Sequence, residues 1–201
     1  MPTSTWVHIS DMMNTIVRMQ PKSILDVGCG TGRWGFLCRE LLDIGKRRWK
    51  REEWQVHITG VDASVEYREY FKDNHDYAYD FVSYLPIQSY LELHPKHTFN
   101  VTILGDVLEH MSKSEALGLI QTLSERTDVA ILIGLPIGEW PQKNVNGNKF
   151  EDHVASWTVP ELAKVCDCYK LYPSHNKVYA LAARWTGMLN WVLKGFTPVK
   201  R

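Results

Sequence analysis

An excess of charge of either sign is missing from this chain: Lys+Arg and Asp+Glu number 23 each in 201 residues. A balanced chain is not held to long DNA or to an anionic membrane by bulk electrostatics, so neither is an expected partner. A long apolar run is missing too. The longest, VAILIGLPIG (129–138), falls well short of the roughly 20 residues that cross a bilayer. The opening residues lack the basic start and apolar core of a secretory signal, and a cytoplasmic location is the expectation. Cysteine is scarce. The four are Cys29, Cys38, Cys166 and Cys168, and no pair has C-x-x-C spacing, so zinc and dithiol redox sites lose support and reduced thiols are expected. Repeats and low-complexity tracts are absent. What remains is an ordinary globular composition, 44% hydrophobic and 23% charged, in one domain spanning 1–201.

Hydrophobic periodicity sets the element order. Ile9, Met12, Met13, Ile16 and Val17 recur at helical spacing and predict a helix over about 5–19, closed before Pro21. SILDV (23–27) reads as a buried strand. A helix follows over about 33–44, with Trp34, Leu37, Cys38, Leu41 and Leu42 as its stripe and Gly45 as its stop. The charged run KRRWKREEW (46–54) predicts a solvated connection. Further strands are expected at 56–62, 79–85, 100–106 and 129–136. Helices are expected at 64–73, 87–93 and from the Ser112/Glu115 capping box to about 126. Residues 137–157 form a long polar and aromatic loop, the kind that often serves a site, here as a lid. A second capping box, Thr158/Glu161, precedes closing strands CYKLYPS and VYALAARW, and a short amphipathic helix is expected at about 187–195. Strands alternating with helices imply a mainly parallel sheet covered on both faces, with an antiparallel strand from the short final connection.

The stretch SILDVGCGTGRWGF carries Gly28, Gly30 and Gly32 between the first strand and its helix. Ligands of such sheets bind at the carboxyl ends of the strands, and glycine lets the main chain touch them. A dinucleotide fingerprint needs a third glycine at position 33, which is Arg33. Asp26, two residues before the first glycine, would repel a pyrophosphate and suits a ligand with an amino group. Asp62, ending the second strand, can accept from both hydroxyls of a ribose. An ammonium, a ribose and no phosphate together describe S-adenosylmethionine.

On LDVGCGTG (25–32), GVDAS (60–64) and ILGDVLEHM (103–111), the chain resembles the class I S-adenosylmethionine-dependent methyltransferases over about residues 20–185. The resemblance implies an α/β Rossmann-like fold. It would have a seven-stranded, mostly parallel sheet, one antiparallel edge strand, and helices on both faces. It implies that Gly28, Cys29, Gly30 and Gly32 approach the methionine part of the cofactor, and that Asp26 braces the glycine loop. Asp62 would hold the ribose, Ala63 and either Tyr84 or Leu85 would flank the adenine, and Asp106 and Val107 would line the region near the sulfonium. The 36 residues from Asp26 to Asp62 exceed the usual gap of about 20. The surplus falls in the charged run and should lengthen a surface connection without touching the site.

S-adenosylmethionine brings its own activated methyl group, so positioning and proton removal fall to the protein. Candidate bases are Glu109 and His110 after the fourth strand and His153 in the long loop, with Trp140 or Trp157 as an aromatic wall. The expected acceptor is a small or medium-sized molecule, methylated at oxygen or nitrogen, such as a sugar or natural product. Asp106, Glu109, His110 and a distant histidine also resemble the E-x-x-E-H…H metal pattern of small-RNA 2′-O-methyltransferases. Asp106 is shorter than the glutamate of that pattern, and no metal is expected. The alternatives are a metal-assisted RNA methyltransferase, supported by the basic run at 46–51, and a non-catalytic binding subunit.

Overall fold

The computed structural model describes residues 5–143, 145, 147–174, 177–186 and 195–199. The expected helix over most of 187–195 lies outside them. Eight strands form one sheet: β1 (Ser23–Val27), β2 (His57–Val61), β3 (Phe81–Ser83), β4 (Phe99–Gly105), β5 (Thr127–Ile137), β6 (Cys168–Ser174), β7 (Lys177–Trp185) and the two-residue β8 (Thr197–Pro198). Their spatial order is β3-β2-β1-β4-β5-β7-β6-β8. The first five run parallel, while β7 is antiparallel to both β5 and β6. The expected antiparallel strand is therefore β7, lying between β5 and β6, and β8, an addition to the seven strands foreseen, pairs antiparallel with β6 at the edge. The order reverses at β1 and β4, whose carboxyl ends carry the glycine loop and Asp106.

The helices are α1 (Ile9–Met19), α2 (Arg33–Leu42), α3 (Tyr67–Tyr70), α4 (Lys72–Ala78), α5 (Ile87–Leu93), α6 (Lys113–Ser124) and α7 (Val159–Leu162). One face of the sheet packs Met12, Ile16, Trp34, Cys38 and Leu42 from α1 and α2. The other packs Ile87, Tyr90, Leu119, Ile120 and Leu162 from α5, α6 and α7. The capping boxes at Ser112/Glu115 and Thr158/Glu161 are both formed, each closing two orphan donors at a helix start.

Three boundaries differ from expectation. The helix from Ser64 is two short pieces, because Phe71 leaves the helical region with φ −122° and ψ 19°. Helix α2 ends at Leu42, and Gly45 sits inside a 3-10 turn, Ile44–Lys46, that continues it. Leu41, assigned to the apolar stripe, is exposed. The charged insertion is more tightly fastened than a solvated connection would be. Arg39 is fully buried, its guanidinium 2.7 Å from Asp80 and stacked 3.8 Å from the Trp54 ring centroid. Arg48 pairs with Asp43 at 2.7 Å, and Arg51 donates to the carbonyls of Asp76 and Tyr79. No residue of 43–56 lines the cavity described next. Each cysteine is a buried thiol in no disulfide.

Candidate active site

A cavity of about 490 Å³ opens at the carboxyl ends of β1, β2 and β4, within the range of small-molecule sites. Its floor is the glycine loop. Gly28 has φ +67°, and a Cβ there would stand 2.8 Å from Val107 Cγ2, so only a bare main chain fits. The Gly28 and Cys29 amides donate to the Val61 carbonyl, which ties the loop to β2.

Asp62 fixes the loop on the opposite side. It is buried, its Oδ2 accepting from the Gly30 amide and its Oδ1 from the Ser64 amide, both at 2.8 Å. Each carboxylate oxygen has a second lone pair, so two further donors can still be received. Ala63, Leu85, Asp106 and Val107 complete this part of the wall.

Asp26, Gly32 and Tyr84 stand outside the cavity wall. Asp26 is fully buried beneath the loop, and its Oδ2 accepts the Tyr79 hydroxyl at 2.6 Å. Tyr79 fits because Gly35 and Gly60 leave room for its ring. Tyr84 turns its hydroxyl to His75 Nδ1 at 2.7 Å, and His75 Nε2 reaches the Gly30 carbonyl at 2.8 Å. These residues brace the loop from behind.

Burial raises the Asp26 carboxyl from 3.8 to about 7; the Tyr79 hydrogen bond opposes the rise and the neighbouring Asp62 charge adds to it. The folded protein thus binds this proton more tightly than the unfolded chain. The stability it contributes is complete below about pH 4 and is lost as pH rises through about 7. Asp26→Asn should flatten that decline in urea unfolding measured from about pH 4 to pH 8. An unchanged slope would show that Asp26 is already ionised in the folded state.

The other half of the cavity follows β4. Asp106 adopts φ +56° and donates its amide to the Gly134 carbonyl at 2.9 Å. That kink leads into the 3-10 turn Leu108–His110, which presents Glu109 and His110. Glu109 is buried; its Oε2 has no hydrogen-bond partner, and its carboxyl pKa is raised by burial and by the adjacent Asp106. Residues 138–156 return over this turn. The amides of Val154 and Ala155 both donate to the Glu109 carbonyl, at 2.7 and 3.0 Å. His153 donates Nδ1 to the Trp140 carbonyl, and His110 Nδ1 donates to the Asp152 carbonyl at 3.1 Å. The two imidazoles meet edge to face, 4.9 Å between centroids. One ligand atom each of Glu109, His110 and His153 lies within 4.8 Å of the other two, a donor set that could hold a cation.

Trp140 lines the cavity, as does Phe150. Trp157, the other candidate for the aromatic wall, does not. It is buried in the core, its Nε1 donating to the Leu108 carbonyl at 3.4 Å, and it pins the end of the loop. Two further contacts were not legible from the motifs. Tyr67 donates its hydroxyl to Glu151 Oε1 at 2.6 Å, fastening the loop to α3. Tyr179, from β7, donates to Asp106 Oδ2 at 2.9 Å and stacks on the buried His8 ring, 4.4 Å between centroids. A Cβ on Gly134 would lie 2.7 Å from that hydroxyl, so the glycine makes room for it.

Among the described residues no helix is long and apolar enough to cross a membrane. The family model described as a methyltransferase domain matches residues 9–169. Curated proteins give no match. Among solved structures, magnesium protoporphyrin IX methyltransferase (ChlM) from Synechocystis PCC 6803, with bound SAM, is similar at 11% identity and a TM-score of 0.58, over 92% of this chain and 86% of that one. TehB from Haemophilus influenzae reaches 0.63 at 13% identity, over 90% of this chain and 62% of its own. A Burkholderia thailandensis 1,6-didemethyltoxoflavin-N1-methyltransferase, solved with its substrate and S-adenosylhomocysteine, reaches 0.55 at 15%, over 87% and 78%. At these identities the likeness is one of fold. With the family match over most of its length, the chain belongs to the methyltransferase-domain family and is an S-adenosylmethionine-dependent methyltransferase of the class I fold.

Proposed function

We propose that this enzyme methylates an oxygen or nitrogen nucleophile of a small or medium-sized acceptor, with residues 137–157 as the lid over the reacting groups. The observation that carries this reading is the division of one cavity. Gly28, Gly30 and Asp62 line one side, and Glu109, His110, His153 and Trp140 line the other. When bound, S-adenosylmethionine supplies the electrophilic methyl group. Asp62 accepts the ribose hydroxyls through its free lone pairs, Ala63 and Leu85 flank the adenine, and the bare Gly28–Gly30 backbone receives the methionine part. Asp106 and Val107 line the passage to the acceptor side.

There His153 is the base. Its Nδ1 proton is committed to the Trp140 carbonyl, which leaves the lone pair on Nε2. Burial, reinforced by the nearby His110, lowers its pKa from 6.5, so the ring is neutral at pH 7. Trp140 and Phe150 offer apolar surface to the acceptor and exclude water.

An RNA acceptor has less support, since Arg48 and Arg51 are engaged with Asp43 and with main-chain carbonyls away from the cavity. The test is formation of S-adenosylhomocysteine on incubation with S-adenosylmethionine and a panel of small hydroxyl and amine acceptors, with structured RNA as a separate arm. Turnover with small acceptors is expected. Turnover confined to the RNA arm would replace this reading.

A further inference from the structure

The acceptor side of the cavity holds an imbalance of donors and acceptors. Glu109 Oε2 is buried and receives no hydrogen bond. His110 and His153 both commit Nδ1 to carbonyl oxygens, which can only accept, so in each neutral ring Nε2 carries the lone pair. The pKa of each imidazole is lowered from 6.5, chiefly by burial, and the neutral form holds at pH 7. With the Glu109 carboxyl ionised, as a bound cation would hold it against the burial and the Asp106 charge that raise its pKa, three acceptors converge, one ligand atom of each residue within 4.8 Å of the others. A buried acceptor left unpaired costs about 1–3 kcal/mol, so the group that belongs here brings several donors from one centre.

We infer that Glu109, His110 and His153 together receive the primary ammonium group of the acceptor, and that the enzyme is an N-methyltransferase of small primary amines. This rests on the methyl-transfer reading above and narrows it. A primary ammonium carries three N–H donors on one tetrahedral nitrogen. At N···acceptor distances of about 2.9 Å its partners stand about 4.7 Å apart, inside the 4.8 Å that bounds the trio. The surrounding charge also favours a cation. Asp106 adjoins Glu109, and Glu151 acts on Glu109 and on both histidines. Of the opposing cations, Lys177 is turned to the Glu139 carbonyl at 2.9 Å, and Arg33 lines the same cavity, acting on Tyr179. Trp140 and Phe150 face the carbon body of the amine.

The chemistry balances on these groups. One ammonium proton passes to His153 Nε2. The lone pair this leaves on nitrogen faces His153, so the amine turns about its C–N bond, exchanging its N–H contacts with Glu109 and His110, until the lone pair meets the methyl group. It then forms the N–C bond as the S–C bond breaks and that electron pair goes to sulfur. The product leaves as a secondary ammonium, and the proton on His153 is released to solvent.

Calorimetry on the protein saturated with S-adenosylhomocysteine tests this without turnover, titrating benzylamine and phenethylamine against benzyl and phenethyl alcohol. The amines should bind at least tenfold more tightly than the alcohols, and Glu109→Gln should remove that preference. His153→Gln provides a second variant if Glu109→Gln does not fold. In methyl-transfer assays with the same panel, only the amines should be methylated. Alcohols methylated while amines neither bind nor react would overturn the inference and leave the methyl-transfer reading standing. Manganese binding that displaces the amines, with transfer abolished by chelator, would make the trio a metal centre and equally overturn it. Failure to bind S-adenosylmethionine or to methylate either class would bring down the broader reading as well.

Discussion

Asp62→Ala is expected to weaken S-adenosylmethionine binding by about a hundredfold or more. The carboxylate is the anchor of the cavity. It accepts from Gly30 and Ser64 on its two oxygens and retains lone pairs for two hydroxyls. Hydrogen bonds to a charged group are worth about 1.5–3 kcal/mol each, and 1.4 kcal/mol is tenfold in affinity. Losing two of them gives two to four orders of magnitude. The variant also frees the Gly30 amide, so the loop loosens just where the methionine part is to be received. Asp62→Asn, which keeps one acceptor oxygen, should fall between wild type and alanine. Titration calorimetry reads both, and an unchanged affinity for Asp62→Ala would falsify the ribose assignment.

His153→Ala should lower kcat by about 10² to 10⁴, the usual contribution of a positioned base, with little change in cofactor affinity. The alternative for His153 is a brace, because its Nδ1 and its amide both bond within the loop, to Trp140 and Gln142. Two readouts separate the roles. A brace is replaced in part by glutamine, which can donate to the Trp140 carbonyl but cannot take a proton from the acceptor. A base is replaced in part by free imidazole in solution, which a brace is not. Partial recovery of His153→Ala with imidazole, and none from His153→Gln alone, is the expected pattern. Turnover near wild type in both variants would assign His153 to the loop alone.

The glycine-loop half of the candidate site was legible as a cavity wall because it is local. Gly28, Gly30, Asp62 and Asp106 each sit at a strand's carboxyl end, and strand ends can be read from hydrophobic periodicity one segment at a time. Asp26 was legible as a residue but not as a position. Its spacing from the glycines is the same whether it faces a ligand or lies beneath the loop with Tyr79, and Tyr79 is 53 residues away. Tyr179 was hidden for the same reason, standing 73 residues from Asp106 on a strand buried on both faces, where alternation gives no direction. Trp140 and Trp157 could not be told apart in the sequence, because an aromatic residue near a loop looks the same as a core anchor until its ring is placed. The break in the helix after Ser64 followed no glycine or proline and had no local signal. The engagement of Arg48 and Arg51, and of Trp54 with Arg39 of α2, was invisible in a run whose charge alone suggested solvent.

The insertion fastened by Arg39 has a practical consequence for handling the enzyme. It is held by the Arg48–Asp43 ion pair and by Trp54 stacked under Arg39 of α2, stays clear of the cavity wall, and presents Trp49 at 67% exposure. A reporter group or an immobilising tether joined at Trp49–Lys50 would sit on residues outside the cavity wall, and exposed tips of this sort accept added length readily. The same surplus that separates Asp26 from Asp62 in the sequence thus supplies a handle for attaching the protein without disturbing methyl transfer.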